Sequence, residues 1–245
     1  MKKWIVVLIV LVCLGAVGAG AYYLISGMED KSGGLGIGPN DAVCMVDGAA
    51  IKDAPGKDGN FVATLKFGEK LTCVEEKEIE TQSGSKKYYK VELSGGESGW
   101  IKESNIITGA KPAAIVEEAI VYSRPDLVTK TSKVFSPLDI VAVKQKQGDF
   151  IEVYGKTKEG KKVKGGWIKA ELVTFVDVDV AVAIYVAKAN KIVGNDARMA
   201  ALREIVDNLD FSSSRFIGEL SALTEEVPVE TNEEQVEEPD TTATE

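Results

Sequence analysis

From Asp41 to Phe175 apolar and polar positions alternate in short runs, and Gly, Pro, Asp or Ser clusters cut each run. Alternation at period two is the mark of a strand with one buried face. Val43 to Val46 opens the series, followed by Ala50-Ile51-Lys52 and the turn Asp53-Ala54-Pro55-Gly56. Phe61 to Leu65 leads into the turn Phe67-Gly68-Glu69-Lys70, then Leu71-Thr72-Cys73-Val74. A polar loop from Gln82 to Lys87 precedes Tyr88 to Leu93, and Ser94-Gly95-Gly96-Glu97 turns the chain into Gly99-Trp100-Ile101-Lys102.

The order then repeats. Ala119 to Tyr122 meets Ser123-Arg124-Pro125-Asp126, Val134-Phe135 meets Ser136-Pro137-Leu138-Asp139, and Ile140 to Val143 follows. Phe150 to Tyr154 runs into a Lys/Gly loop that returns as Gly166-Trp167-Ile168-Lys169. A repeat of about 60–70 residues made of short strands predicts two copies of one small β module. These are placed at 41–108 and 114–175, joined by Gly109 to Ala113.

Beyond Phe175 the period changes to 3.6. Val178, Val182, Tyr185, Ala189 and Ile192 make one stripe. Asn195 or Asp196 caps a second helix with Met199, Leu202, Ile205, Val206 and Leu209 inward, and Ser212 to Ser214 cap a third with Phe216, Ile217, Leu220 and Leu223. This helical region spans 176–223, and the acidic tail, 224–245, is expected to be disordered. At the other end, Trp4 to Ile25 holds 22 residues without a charge, enough helix to cross the ~30 Å of a bilayer core. Lys2 and Lys3 precede it and Glu29-Asp30 follow, which predicts a cytoplasmic N-terminus and export of the rest. A retained signal-anchor over 1–25, a signal peptide cleaved near Ala19-Gly20-Ala21, and lipidation at Cys13 are the three readings of this end. Residues 26–40 read as a glycine-rich flexible linker; no strand precedes Gly33 to Gly38 and no Lys-Ser/Thr pair follows, so a phosphate loop is not expected there.

Charge sharpens the picture. The net charge is −9, and Glu225 to Glu245 carry nine acidic side chains and no basic one, so the rest of the chain sums to zero. Nothing in that balance points to a nucleic-acid partner. The chain has no His, which removes His-dependent nucleophiles, His-ligated metal and imidazole acid–base chemistry. No metal site and no cofactor is expected.

With these motifs in order, the chain resembles the bacterial SH3 (SH3b) family. The likeness lies in Gly68-Glu69-Lys70-Leu71, Tyr89-Lys90-Val91 and Gly99-Trp100-Ile101-Lys102, then in Val121-Tyr122-Ser123-Arg124-Pro125, Phe150-Ile151-Glu152-Val153 and Gly166-Trp167-Ile168-Lys169. It covers about 130 of the 245 residues. The resemblance implies small five- or six-stranded barrels that bind peptidoglycan peptides or a protein partner. The eukaryotic Ala-Leu-Tyr-Asp-Tyr-type strand and paired Trp are absent, so polyproline binding is not implied.

The fold class expected is mainly β with an α appendage: an N-terminal transmembrane helix, two small SH3-like β-barrels, short C-terminal helices and the acidic tail. Tyr89, Trp100, Tyr122, Phe150 and Trp167 are the ligand-groove candidates, against the alternative that they fill barrel cores. Lys156, Lys158, Lys161, Lys162 and Lys164 form a basic cluster that could meet an anionic polymer or lipid headgroup, or simply be a solvated hairpin loop. Cys44 and Cys73 could pair as a disulfide or stay inert core thiols. No carboxylate pair, Glu75-Glu76 and Glu117-Glu118 included, comes with a recognisable pocket. The expected function is a non-catalytic, membrane-anchored envelope protein that binds peptidoglycan or its peptides; the alternative is a scaffold for envelope proteins. Both place it in the cytoplasmic membrane through residues 4–25, with its bulk outside the cytoplasm.

Overall fold

A computed structural model describes residues 34–81 and 84–225. The first sheet takes β1 (Asp41–Cys44), β2 (Ala49–Lys52), β3 (Phe61–Leu65), β4 (Lys70–Thr81), β5 (Gly84–Leu93), β6 (Ser98–Lys102) and β7 (Ile106–Thr108). The second takes β8 (Lys111–Ile115), β9 (Ala119–Tyr122), β10 (Lys130–Phe135), β11 (Ile140–Gln147), β12 (Phe150–Lys156), β13 (Lys162–Lys169) and β14 (Val173–Thr174). Their strand orders, β3-β2-β6-β5-β4-β1-β7 and β10-β9-β13-β12-β11-β8-β14, are the same path traced twice. Each Trp-bearing strand even ends in the same 3-10 turn, Glu103–Asn105 and Ala170–Leu172.

Each sheet curls around its own core. Cys44, Ile51, Leu65, Leu71, Val91 and Ile101 fill the first, and Val121, Phe135, Val141, Ile151, Val153 and Ile168 the second. The glycine before each Trp is explained by this curl. A Cβ on Gly166 would stand 2.6 Å from both Val121 Cγ1 and Val163 Cγ1, and one on Gly99 would stand 2.9 Å from the Lys52 carbonyl oxygen. Only a residue without a side chain admits the neighbouring strand so closely.

Three helices follow: α1 (Asp177–Ala189), α2 (Asn195–Asp207) and α3 (Ile217–Glu225). They pack on one another and onto Ala114 and Ile140 of the second sheet, with Phe67 of the first sheet's β3–β4 turn against the same core. A smaller apolar seam, Val43, Ala110 and Ala142 with Met45, Ile107 and Tyr154, joins the two sheets directly. At the junction of sheets and helices Gly68, at φ +83°, leaves no room for a side chain: its Cβ would lie 2.7 Å from Ile140 Cγ2.

The structure corrects several expectations. Each curled antiparallel sheet has seven strands, not five or six. No helix among the described residues is long and apolar enough to cross a membrane, so the expected fold class with its transmembrane helix is corrected to two curled sheets and three helices. The placement in the cytoplasmic membrane goes with it. Residues 4–25, on which both expectations rested, lie outside the described residues, as do Cys13, most of the 26–40 linker and the tail after Glu225. The polar stretch expected to be a loop at Gln82 to Lys87 is largely strand: β4 and β5 continue as a two-stranded arm, with Glu75 opposite Lys90 and Glu78 opposite Lys87. Both faces of that arm are polar, so no apolar alternation marks it. The phase of α1 also differs. Asp179, Val182, Ala183 and Val186 are buried while Tyr185 is exposed, because a nearly all-apolar helix carries no stripe to fix its rotation. Leu209 and Leu223 likewise face outward.

Candidate functional site

Alternation puts Trp100 and Trp167 on the outer faces of their sheets, since Ile101 and Ile168 beside them enter the cores. In the second sheet Trp167 is in register with Tyr122 on one side and Glu152 on the other. Tyr122, Phe150 and Trp167 gather there as a cluster of their own with Ile120 beside them. The Tyr122 and Phe150 rings meet edge to face, centroids 5.5 Å apart at 81°, the arrangement ring quadrupoles favour. Three of the five expected groove residues are therefore together. Each is only 9% exposed, so they form a closed aromatic plate with no groove between them.

The first sheet lacks that plate. Trp100 is in register with Lys52 and Lys90, so a lysine holds the place of Tyr122. Tyr89 lies against the barrel core, with the Lys87 ammonium 5.5 Å from its ring centroid. Its neighbour Tyr88, opposite Lys102 as Phe150 is opposite Lys169, occupies the outer position that sequence reasoning gave to Tyr89. Which tyrosine of an adjacent pair faces out depends on register, and Trp100 opposite Lys90 is the signal that fixes it.

One open concavity, of about 480 Å³, lies on the second sheet by Lys146, Asp149, Lys169 and Glu171 and is lined by charged groups with no aromatic; three others run along α1. A groove of about 340 Å³ lies between α1 and α2, lined by Tyr185, Lys188, Ala189, Ile192, Ala201, Glu204, Ile205, Asn208 and Phe211. A second, of about 260 Å³, lies where the β3–β4 turn, β8 and α1 meet; Lys66, Lys70, Lys111, Asp177 and Ile184 line it, and so does Tyr185. A cleft of about 20 Å³ containing Asp47, Lys66, Phe67, Tyr185, Lys188 and Lys191 connects them. Tyr185 is common to all three. Its ring stands between the Lys66 ammonium, 5.4 Å from the centroid, and the Phe211 ring, centroid at 5.3 Å. At 40% exposure it is presented to solvent in the middle of the groove.

The charges along this groove are mixed. Lys191 Nζ donates to Asp47 Oδ2 at 2.7 Å, which holds that carboxyl below its ordinary range, helped by the Phe67 N–H. Glu69 accepts from the Lys66 backbone N–H at 2.8 Å. Lys70, Lys111 and Lys188 make no ion pair among the described residues. Sequence reading missed the site because it draws on all three parts of the chain. Tyr185 was read as core, which is where the stripe mislaid it.

Cys44 and Cys73 are both free. The β1–β4 register pairs Asp41 with Thr72, which puts Cys73 opposite residue 40 and Cys44 four positions away, about 13 Å along the strand. That is beyond disulfide reach. Burial pushes both thiols up to about 11. In the lysine hairpin, Lys161 pairs with Glu159 at 2.7 Å and Lys156 stands opposite Lys162 across the ladder. The described residues hold no cluster of three or more metal-ligating side chains.

No family model matches the chain, and no curated protein matches it. Solved structures do align with it, among them two from Trichomonas vaginalis. That of NlpC2 from Trichomonas vaginalis covers 69% of this chain and 56% of its own at 15% identity, with a TM-score of 0.24. That of NlpC1 from the same organism covers 69% and 64% at 14% identity, also with a TM-score of 0.24. This chain spans less than two thirds of either protein, and a likeness at that score carries no argument about its activity.

Proposed function

We propose that this chain is a non-catalytic binding protein whose two SH3b-like modules and helical layer form one groove for a peptide, in the first place a peptidoglycan stem peptide. The observation that carries the reading is the convergence on Tyr185. Grooves where separate parts of a fold meet are preferred ligand sites. This one has an apolar floor in Ile184, Ala189 and Ile205, an aromatic face in Tyr185, and both ammonium and carboxylate groups on its rim. A short peptide bearing its own carboxylates and amino group finds partners for each. Asp47 is a poor general base here, because Lys191 holds its carboxyl below the ordinary range, and no thiol lines the groove.

Titration of the full-length protein with soluble stem peptides tests the reading. Saturable binding that weakens at least tenfold in Tyr185→Ala is expected. No heat and no saturation with the wild-type protein, at low salt and millimolar peptide, would reject it. Photo-crosslinking in cells that recovers a protein at position 185 would shift the reading to a scaffold.

A further inference from the structure

The two sheets trace one path, yet their outer faces differ in charge. In the first sheet Phe61, Lys52, Trp100, Lys90 and Glu75 stand side by side across five strands, each the register partner of the next. Register partners share a face, so all of them lie on the outer side with Trp100. The next row holds Lys102, Tyr88 and Lys77, and the β4–β5 arm adds Lys86 opposite Ile79. Five lysines thus face one way with a single carboxylate, Glu75, among them; Glu92, two residues beyond Lys90, bounds the face. None of the five makes an ion pair among the described residues. Lys52 Nζ donates to the Lys57 carbonyl at 2.9 Å.

The arm sorts its charges. Glu76, Glu78 and Glu80 alternate onto its other face, where Lys87 pairs with Glu76 at 3.1 Å and Ser85 Oγ donates to Glu78 Oε1 at 2.6 Å. Ile79 Cδ1 lies against the β2–β3 turn, 3.6 Å from where a Cβ on Gly56 would stand, so the arm bends over the basic face. The second sheet has no such field. Tyr122 and Glu152 hold the places of Lys52 and Lys90, and Gln147 that of Lys77, which leaves Lys130 and Lys169 beside the Glu152 carboxylate. The basic face belongs to one module and not to the fold.

Spacing and cover identify the partner. Successive rows lie ~6.8 Å apart, the length of two strand residues and so the distance between alternate side chains of an extended peptide. Trp100 is only 9% exposed and offers no free ring for a base to stack on. The face carries lysines, without the planar arginines that grip phosphate in pairs. Ile79 and the exposed Phe61 give apolar contacts at its two ends.

We infer that the outer face of the first sheet binds an extended acidic segment of a partner protein. Its alternate carboxylates meet Lys52 and Lys90, then Lys77 and Lys102, then Lys86. This site is separate from the groove at Tyr185 and does not rest on the reading of that groove. NMR titration of the full-length protein with a blocked heptapeptide, four glutamates alternating with three threonines, tests it. Saturable shifts are expected at the Tyr88 and Lys90 amides and the Trp100 indole N–H. Affinity should fall at least tenfold in the double variant Lys77→Glu, Lys102→Glu, whose positions are both exposed. It should stay within twofold in Lys156→Glu, Lys162→Glu, the same charge change on the second module's hairpin. No saturation at low salt and millimolar peptide, equal weakening in the two variants, or shifts centred on Tyr185 would overturn the inference. An oligothymidylate of equal charge that binds this face more tightly than the peptide would overturn it too, and make the face a nucleic-acid surface.

Discussion

Ser214 Oγ donates to Asp179 Oδ1 at 2.8 Å, joining residues 35 apart in sequence. The same oxygen accepts the Arg215 backbone N–H at 3.0 Å, and the other carboxylate oxygen accepts Thr174 Oγ1 at 2.8 Å. Asp179 and Ser214 are both buried, and no cation takes part. One carboxylate thus ties the end of the second sheet, the start of α1 and the approach to α3 into a single corner, and it sets the rotation of α1 that brings Tyr185 outward.

Asp179→Ala is therefore expected to destabilise the protein by about 3 kcal/mol, and Ser214→Ala by about 1–2 kcal/mol, since each leaves buried partners unpaired. Urea unfolding of the two variants measures this. Equal, near-zero losses would mean the corner is held by its apolar contacts alone.

Trp167→Ala removes the centre of the aromatic plate and should cost about 3 kcal/mol, while Tyr185→Ala, on an exposed ring, should cost under about 1 kcal/mol. Thermal melts of both variants beside the peptide titration separate the roles. If Tyr185→Ala unfolded the protein as readily as Trp167→Ala, its loss of binding would say nothing about the groove.

Alkaline pH should weaken the fold. Cys44 and Cys73 are raised by burial from 9.0 to about 11, and Tyr154 from 10.0 to about 12 by burial and its hydrogen bond to Glu152. The folded state holds these protons longer than the unfolded chain, so their contribution is complete below pH 9 and is lost as pH rises through 11 to 12. Denaturant midpoints level from pH 7 to 9 and falling above are expected. Midpoints flat to pH 11 would contradict the burial of the thiols.

The Lys191–Asp47 pair carries the opposite sign. The folded carboxyl lies below its ordinary 3.8, so its contribution is present above that value and lost as pH falls through the folded value. Both side chains are more than half exposed, and screening keeps the effect under about 1 kcal/mol. Lys191→Ala should change stability at pH 7 by no more than that, and raise the Asp47 pKa measured by NMR.

Most of the sheet strands were legible because each carries one apolar face. Ile51, Leu65, Leu71, Val91 and Ile101 all enter the first core, from runs that alternate plainly. What escaped did so for physical reasons. The β4–β5 arm is polar on both faces, and β8 opens with Lys111-Pro112, where proline argues against strand. It is tolerated there because β14 reaches only Ala114 and Ile115, leaving that side of Pro112 unpaired. The site was least legible of all. Tyr185 belongs to a helix whose phase is set by a buried polar residue, Asp179, and periodicity in apolar residues cannot report that. The duplicated Trp was easy to find, yet its surroundings, Lys52 in one copy and Tyr122 in the other, depended on register that only the paired strands supply.

Gly68 sits against Ile140 where the two sheets and the helical layer abut. Adding one methyl there would wedge the halves apart, so the mutual tilt of the modules hangs on a missing carbon. The mouth of the cleft beside Lys70 and Lys111 inherits its width from that same contact. A library of small residues at this position would tune the aperture while sparing every side chain that faces a guest.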